Sequence, residues 1–200
     1  ETDRVSAWDA DTGTPLAAKK IKWPADLGKD QAAAGTLAGD RTIWITQSIN
    51  GDRKAISTAY SFKLTDGSEV SRVQFTGLAE FDVIQHRIWS AAASRDGKYL
   101  AVAPEVNKSV EVFDMEAGKR LHTQKLTGGG DPGVYFTPDA KTLYVHEYKK
   151  PLRRFDVVTG NELPAIVEST GSTELIAAST DGKLLLLREV VDKQDAKGKV

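Results

Sequence analysis

Cysteine is missing from the chain, and methionine occurs once. The missing thiol excludes disulfides, thiolate metal sites and a cysteine nucleophile, but leaves the compartment open because many exported proteins also lack cysteine. Net charge is almost absent too, with 27 basic residues against 28 acidic ones. A general nucleic-acid binder gains affinity by neutralising phosphates, so this balance speaks against nucleic acid as a partner. No apolar run approaches the roughly 18 to 20 residues that cross a bilayer as a helix, so no membrane span is expected. No signal-like segment precedes Glu1, and a first residue other than Met fits a processed mature protein or an excised piece of a longer one. The reading is a soluble chain that leans extracytoplasmic.

Signatures of chemistry are also missing. There is no Gly-x-Ser-x-Gly elbow, and the glycine-rich run Thr127 to Gly133 lacks the Lys-Ser/Thr of a phosphate loop. That run reads as a turn. His86, His122 and His146 fall far apart without metal-ligand spacing. The sequence assigns no catalytic residue, no metal and no cofactor.

What the chain does contain is strands and turns. Arg4 to Ile21 reads as a hairpin around Asp11-Thr12-Gly13. Lys22 to Gln31, with Pro24 and Gly28 among charges, reads as a loop. A compact strand follows over Thr42 to Ile49. Asn50-Gly51 and the polar residues after it predict a long loop, before strands over Tyr60 to Leu64 and from Glu69 to Phe75. Thr76 to Ile88 has neither alternation nor helix caps and reads as an insertion.

The stretch from Ala93 to Leu126 then recurs. Asp96 and Asp139 lie 43 positions apart, Asp114 and Asp156 lie 42 apart, and Asp181 follows Asp139 by another 42. Two turns repeat within it. The first is Gly39-Asp40, Asp96-Gly97, Asp139-Ala140 and Asp181-Gly182. The second places glycine five residues after an aromatic: Trp8 and Gly13, Phe62 and Gly67, Phe113 and Gly118, Phe155 and Gly160. A buried aromatic and a glycine able to take positive φ suit a hairpin between outer strands.

A period near 42 residues made only of strands and turns predicts an all-β fold, a β-propeller of four-stranded antiparallel blades. The expected order is an outer half-blade at 1–21, a blade at 32–76, the insertion at 76–88, blades at 89–127 and 131–168, and an inner half-blade at 172–191. Pairing of the two halves would close about four blades, within the range of about four to eight that propellers show. An excised segment of a larger ring, of roughly six to eight blades, is the slightly favoured reading, and an assembly of two chains also competes with that closure.

The stretch "SRDGKYLAVAPEVNKSVEVFDMEAGKRL" resembles the repeat of YVTN-type and WD40-like propellers. The resemblance rests on Asp-Gly-Lys, the apolar strand after it, Val-x-Val-Phe-Asp and the closing Gly-Lys. The Gly-His pair of WD40 repeats does not occur, Trp8-Asp9 is the only Trp-Asp, and Lys63 replaces the aspartate of the second unit. These departures make the YVTN-like description the safer one. The resemblance implies a binding platform and carries over no catalytic residue.

The most suggestive surface segment is "HEYKKPLRRF", where Tyr148, Lys149, Lys150, Arg153 and Arg154 surround a connection between strands. A basic loop with an aromatic anchor suits an acidic protein or peptide partner. Its structural alternative is a charged strand edge that deters aggregation. Trp44, in an apolar strand, reads as core, and Trp23 as a weaker contact candidate. The two functional readings are a non-catalytic scaffold for protein–protein interaction, and an extracytoplasmic propeller enzyme of lactonase-like or quinoprotein-like type using the central channel. The innermost strands "WSAAAS", "GVYFT" and "ELIAAS" are small and apolar, which favours binding.

Overall fold

Three of the four repeated inner turns carry a serine or threonine two positions before an aspartate, Ala38 taking that place before Asp40, and in the computed structural model the pair builds the same turn each time. The hydroxyls of Ser94, Thr137 and Ser179 donate to Oδ1 of Asp96, Asp139 and Asp181 at 2.5, 2.6 and 2.6 Å. The same carboxylates accept the amides of Lys98, Lys141 and Lys183, at 3.0, 3.1 and 3.1 Å. Each hydroxyl in turn accepts the amide five residues ahead, from Tyr99, Thr142 and Leu184. Side chains thus take up backbone donors that a tight reversal leaves unpaired.

The residue closing each turn adopts positive φ: Gly39, Gly97, Gly182 and, without glycine, Ala140 at 57°. The second set of turns does the same at Gly13, Gly67, Gly118 and Gly160. Here Asp114 and Asp156 accept two backbone amides each. Where Lys63 replaces that aspartate, Asp66 instead accepts the amide and hydroxyl of Ser68.

The structure describes residues 4–8, 11–20, 33–49, 55–75, 88–104, 108–166, 172–179 and 181–190, which are all-β without a helix. Strands β3 (Ala33–Ala38), β4 (Arg41–Ile49), β5 (Ala55–Lys63) and β6 (Glu69–Phe75) form one four-stranded antiparallel sheet in chain order. A second consists of β7 (Ile88–Ala93), β8 (Tyr99–Pro104), β9 (Ser109–Asp114) and β10 (Lys119–Lys125). The third has three strands, β11 (Gly129–Phe136), β12 (Thr142–Tyr148) and β13 (Arg153–Asp156). A single bridge from Phe155 to Glu162 stands in for its fourth. Pro164 lies just beyond and lacks the N–H that a longer ladder needs. Two hairpins remain, β1 (Arg4–Trp8) with β2 (Pro15–Lys20), and β14 (Ser172–Ala178) with β15 (Leu185–Val190). Among the described residues they form separate two-stranded sheets with no pairing between them.

Two details depart from the expectations. The glycine-rich run does not form a simple turn, because Gly129 already pairs with Tyr148 and the register breaks before Gly133 pairs with His146. β5 starts at Ala55, inside the polar stretch read as loop, because the ladder with β4 continues to the Ile49–Ala55 pair. Backbone hydrogen bonds carry that extension whatever the side chains are. The insertion at 76–88, apart from Ile88 in β7, lies outside the described residues, as do Trp23 and the Asn50-Gly51 signal.

The middle strands of the second sheet are buried on both faces, which a sheet achieves only with a neighbour on each side. Leu100, Val102, Phe113 and Met115 face Ile43, Ile45, Ala59 and Val73 of the first sheet. Their alternates Ala101, Ala103, Val110 and Val112 face Val134, Leu143, Val145 and Phe155 of the third. β10 is the exposed outer strand. It is tied to the third sheet by His122, whose Nε2 donates to the Val157 carbonyl at 2.9 Å, and by Gln124, whose amide donates to the Gly160 carbonyl at 2.7 Å.

Two outcomes follow. A Cβ on Gly39, where φ is +61°, would lie 2.7 Å from the carbonyl oxygen of Arg95 in the neighbouring sheet's turn. Gly39→Ala is therefore expected to cost about 2 kcal/mol or more in urea unfolding, since left-handed backbone alone costs a side chain roughly 1–2 kcal/mol. The turn aspartates supply the second. Burial raises the pKa of Asp96, but the Ser94 hydroxyl and the Lys98 amide outweigh it and hold it below the ordinary value. The Thr137 hydroxyl lowers Asp139, and the Ser179 hydroxyl lowers Asp181. Depressed carboxylates stabilise fully above the unfolded-state pKa of about 3.9 and lose that contribution as pH falls through the folded value. Stability is expected to fall on acidification below about pH 4, and to fall less steeply in an Asp96→Asn/Asp139→Asn/Asp181→Asn variant.

Candidate functional site

The connection from β12 to β13 is short, and its geometry is set from below by a buried carboxylate. Glu147 is 2% exposed. Its Oε2 accepts the amides of Thr127 and Gly128 at 2.5 and 2.6 Å, and its Oε1 meets the Arg153 guanidinium at 3.1 Å. Two successive backbone N–H groups aimed at one anion make a small cradle, and the chain's own glutamate fills it. Gly128 makes the approach possible, because a Cβ there would lie 3.0 Å from both the Glu147 Cβ and the Tyr148 carbonyl oxygen.

Arg153 continues the network outwards. Its Nε and second terminal nitrogen donate to the two carboxylate oxygens of Glu162, both at 2.9 Å, in the bidentate geometry that a planar guanidinium favours. A further N–H reaches the Lys125 carbonyl at 3.0 Å, and the guanidinium carbon lies 4.8 Å from the centre of the Phe155 ring. The Glu162 carboxylate raises the pKa of Arg153, and the guanidinium in return holds Glu162 below the usual carboxylate range.

Above this network the turn presents Tyr148, which is 53% exposed. Lys149 has φ 58°, and its ammonium lies 5.6 Å from the centre of the Tyr148 ring, in cation–π range. The Lys150 amide donates to the Glu147 carbonyl at 3.1 Å, and its own carbonyl accepts the Thr173 amide at 3.2 Å. The turn is thereby bonded to β14.

The five residues singled out in the sequence thus separate into two groups. Tyr148 and Lys149 come together on the surface, with the half-buried Lys150 beside them. Arg153 is clamped by internal acceptors. Arg154 pairs across the ladder with Tyr144, and its Nε is buried without a hydrogen-bond partner. Successive residues on a strand face opposite ways, so Arg153 and Arg154 do not join into one basic patch.

Sequence reasoning missed Glu147, Glu162 and Gly128. A local signal existed for one contact, an acidic and a basic residue flanking the same hairpin. The cradle at Thr127 and Gly128 joins residues about 20 positions apart and left no local mark. Among the other expectations, Trp44 is half-buried and lies against Gly35, where a Cβ would sit 2.9 Å from its ring. His122 serves the contact between sheets, His146 pairs with Gly133 in the ladder, and His86 lies outside the described residues. Among the described residues no group of three or more His, Asp or Glu is placed to hold a metal ion.

Comparison with protein-family models and with curated proteins finds no match to this chain.

The clamp makes Arg153 a structural residue. Removing one partner of a buried ion pair leaves the other charge uncompensated, so Arg153→Ala is expected to cost about 3 kcal/mol in urea unfolding. Replacing Glu147 and Arg153 together with apolar residues is expected to cost less than the sum of the single changes, as a double-mutant cycle would show.

Proposed function

We propose that this chain is a non-catalytic, propeller-like repeat platform that binds an acidic protein or peptide segment at the β12–β13 turn. Support for the propeller reading comes from the repetition itself: hairpins of near-constant period, turns with the same hydrogen bonds in successive units, and sheets stacked face to face in chain order. The resemblance of Ser94 to Leu121 to YVTN-type repeats points the same way.

One observation carries the binding reading, the exposed Tyr148 ring with the Lys149 ammonium over it on a turn held from beneath by Glu147. An aromatic fixed in place loses little conformational freedom on binding and offers a large contact area, which is why tyrosine is common among binding hot spots. Lys149 and Lys150 add steering towards a negatively charged partner, and salt weakens that steering.

The test is fluorescence anisotropy with a labelled decapeptide of alternating glutamate and serine. The wild-type chain is expected to bind it with an affinity that falls as salt rises. Tyr148→Ala/Lys149→Glu/Lys150→Glu is expected to weaken binding more than tenfold, which corresponds to about 1.4 kcal/mol, while the melting temperature stays within a few degrees. Equal affinity for both proteins would overturn the assignment.

A further inference from the structure

The last hairpin, β14–β15, has one covered face and one bare face. Leu175 and Thr173 are buried, whereas Ile176, Leu184 and Leu186 are 47%, 72% and 60% exposed. The second sheet shows what such a hairpin lacks. There, strand β9 pairs with the free edge of β8, and the third sheet covers Ala101 and Ala103. β15 corresponds to β8 but, among the described residues, has no strand on its outer edge. β1 corresponds to β9 but, among the described residues, pairs with β2 and with no inner strand.

The register of the missing pairing can be read from the sheets that are complete. In each, the residue three positions after the left-handed turn residue lies opposite the aromatic of the outer strand. Thr42 follows Gly39 and pairs with Phe62. Leu100 follows Gly97 and pairs with Phe113. Leu143 follows Ala140 and pairs with Phe155. Gly182 is the turn residue of the last hairpin, and Trp8 is the aromatic of the first. The same rule sets Leu185 opposite Trp8, Leu186 opposite Ala7, Leu187 opposite Ser6, Arg188 opposite Val5 and Glu189 opposite Arg4. That register places an acidic and a basic residue opposite each other at its far end, a favourable cross-strand pair.

From this complementarity we propose that the occupant of the β15 edge is the β1–β2 hairpin of a second copy of this chain, and that the exchange is reciprocal. The inference rests on the repeat-platform reading given above. Among the described residues of one chain the two hairpins stand as separate sheets, and a second copy offers each of them its complement. Two copies related by a twofold axis satisfy both hairpins of both chains at once, the commonest way in which like chains close an assembly. The β3–β6 sheet of the second copy would then lie across Ile176, Leu184 and Leu186, as the third sheet lies on the second, removing an apolar patch and an open strand edge from water.

Absence of native cysteine makes the test direct. In Ala7→Cys/Leu186→Cys, mild oxidation is expected to give a disulfide-linked dimer on a non-reducing gel. Trp8→Cys/Leu186→Cys, displaced by one residue and so turned to the opposite face, is expected to give at least tenfold less. Light scattering of the unmodified chain is expected to show a dimer, and Leu186→Lys to raise its dissociation constant at least tenfold with an unchanged circular dichroism spectrum. A cysteine pair that closes within a single chain would overturn the proposal, as would a monomer with no crosslink. Equal crosslinking by the two cysteine pairs would overturn the register. The acidic-peptide assay at Tyr148 separates this result from the platform reading, since a monomer that still binds the peptide removes the dimer and leaves the platform.

Discussion

The structure depends on the burial of β8 and β9 from both sides. In β8 both alternating sets of residues from Leu100 to Ala103 are apolar, so the strand has no wet face, and each fully buried aliphatic side chain contributes roughly 1.5–3 kcal/mol only while both neighbours stay in place. Leu100 and Val102 on one side, and Ala101 and Ala103 on the other, therefore couple three sheets through one pair of strands. The residue sizes suit this role. Small alanines on the side facing the third sheet leave room for Leu143 and Phe155, and the larger Leu100 and Phe113 fill the opposite side.

Stacking of that kind demands that successive sheets present their strands at the same height, and the turns provide the alignment. A hydroxyl, an aspartate and a left-handed residue fix each inner hairpin, and Lys98 and Lys141 pass the alignment on by accepting the amides of Met115 and Val157 from the next strand. None of these bonds is strong by itself, at about 0.5–1.5 kcal/mol net. Their value lies in removing alternative registers, since a slip of one residue would turn the apolar set of a strand to the wrong face.

Most of this was legible in the sequence because it is local. Asp96-Gly97 and Asp181-Gly182 report their backbone directly, and the aromatic-to-glycine spacing around Phe113 and Phe155 reports the outer turn. Ala140 was legible only through the period, for nothing about alanine alone suggests a left-handed residue. The candidate site was less legible. Tyr148, Lys149, Arg153 and Arg154 look alike as a basic cluster in one dimension. Strand alternation and the buried Glu147 divide them, leaving Arg153 inside and Tyr148 outside. Glu147 itself, a charged residue in a β-strand, reads locally as exposed. Only the fold shows that Thr127 and Gly128 turn their amides towards it.

The contrast between the repeated turns and the β12–β13 connection points to where the chain is free to vary. The turns that join inner strands are built from side-chain to backbone bonds within a few residues, so they serve the stacking and little else. The β12–β13 turn instead takes its support from elsewhere: from Thr127 and Gly128 through Glu147, from Glu162 through Arg153, and from Thr173 through the Lys150 carbonyl. Support drawn from three separate segments lets the turn keep a strained residue and an exposed ring, because its shape does not depend on its own sequence being a good turn former. Tyr148 and Lys149 are consequently relieved of the turn-forming duty that Asp-Gly pairs carry elsewhere in the chain.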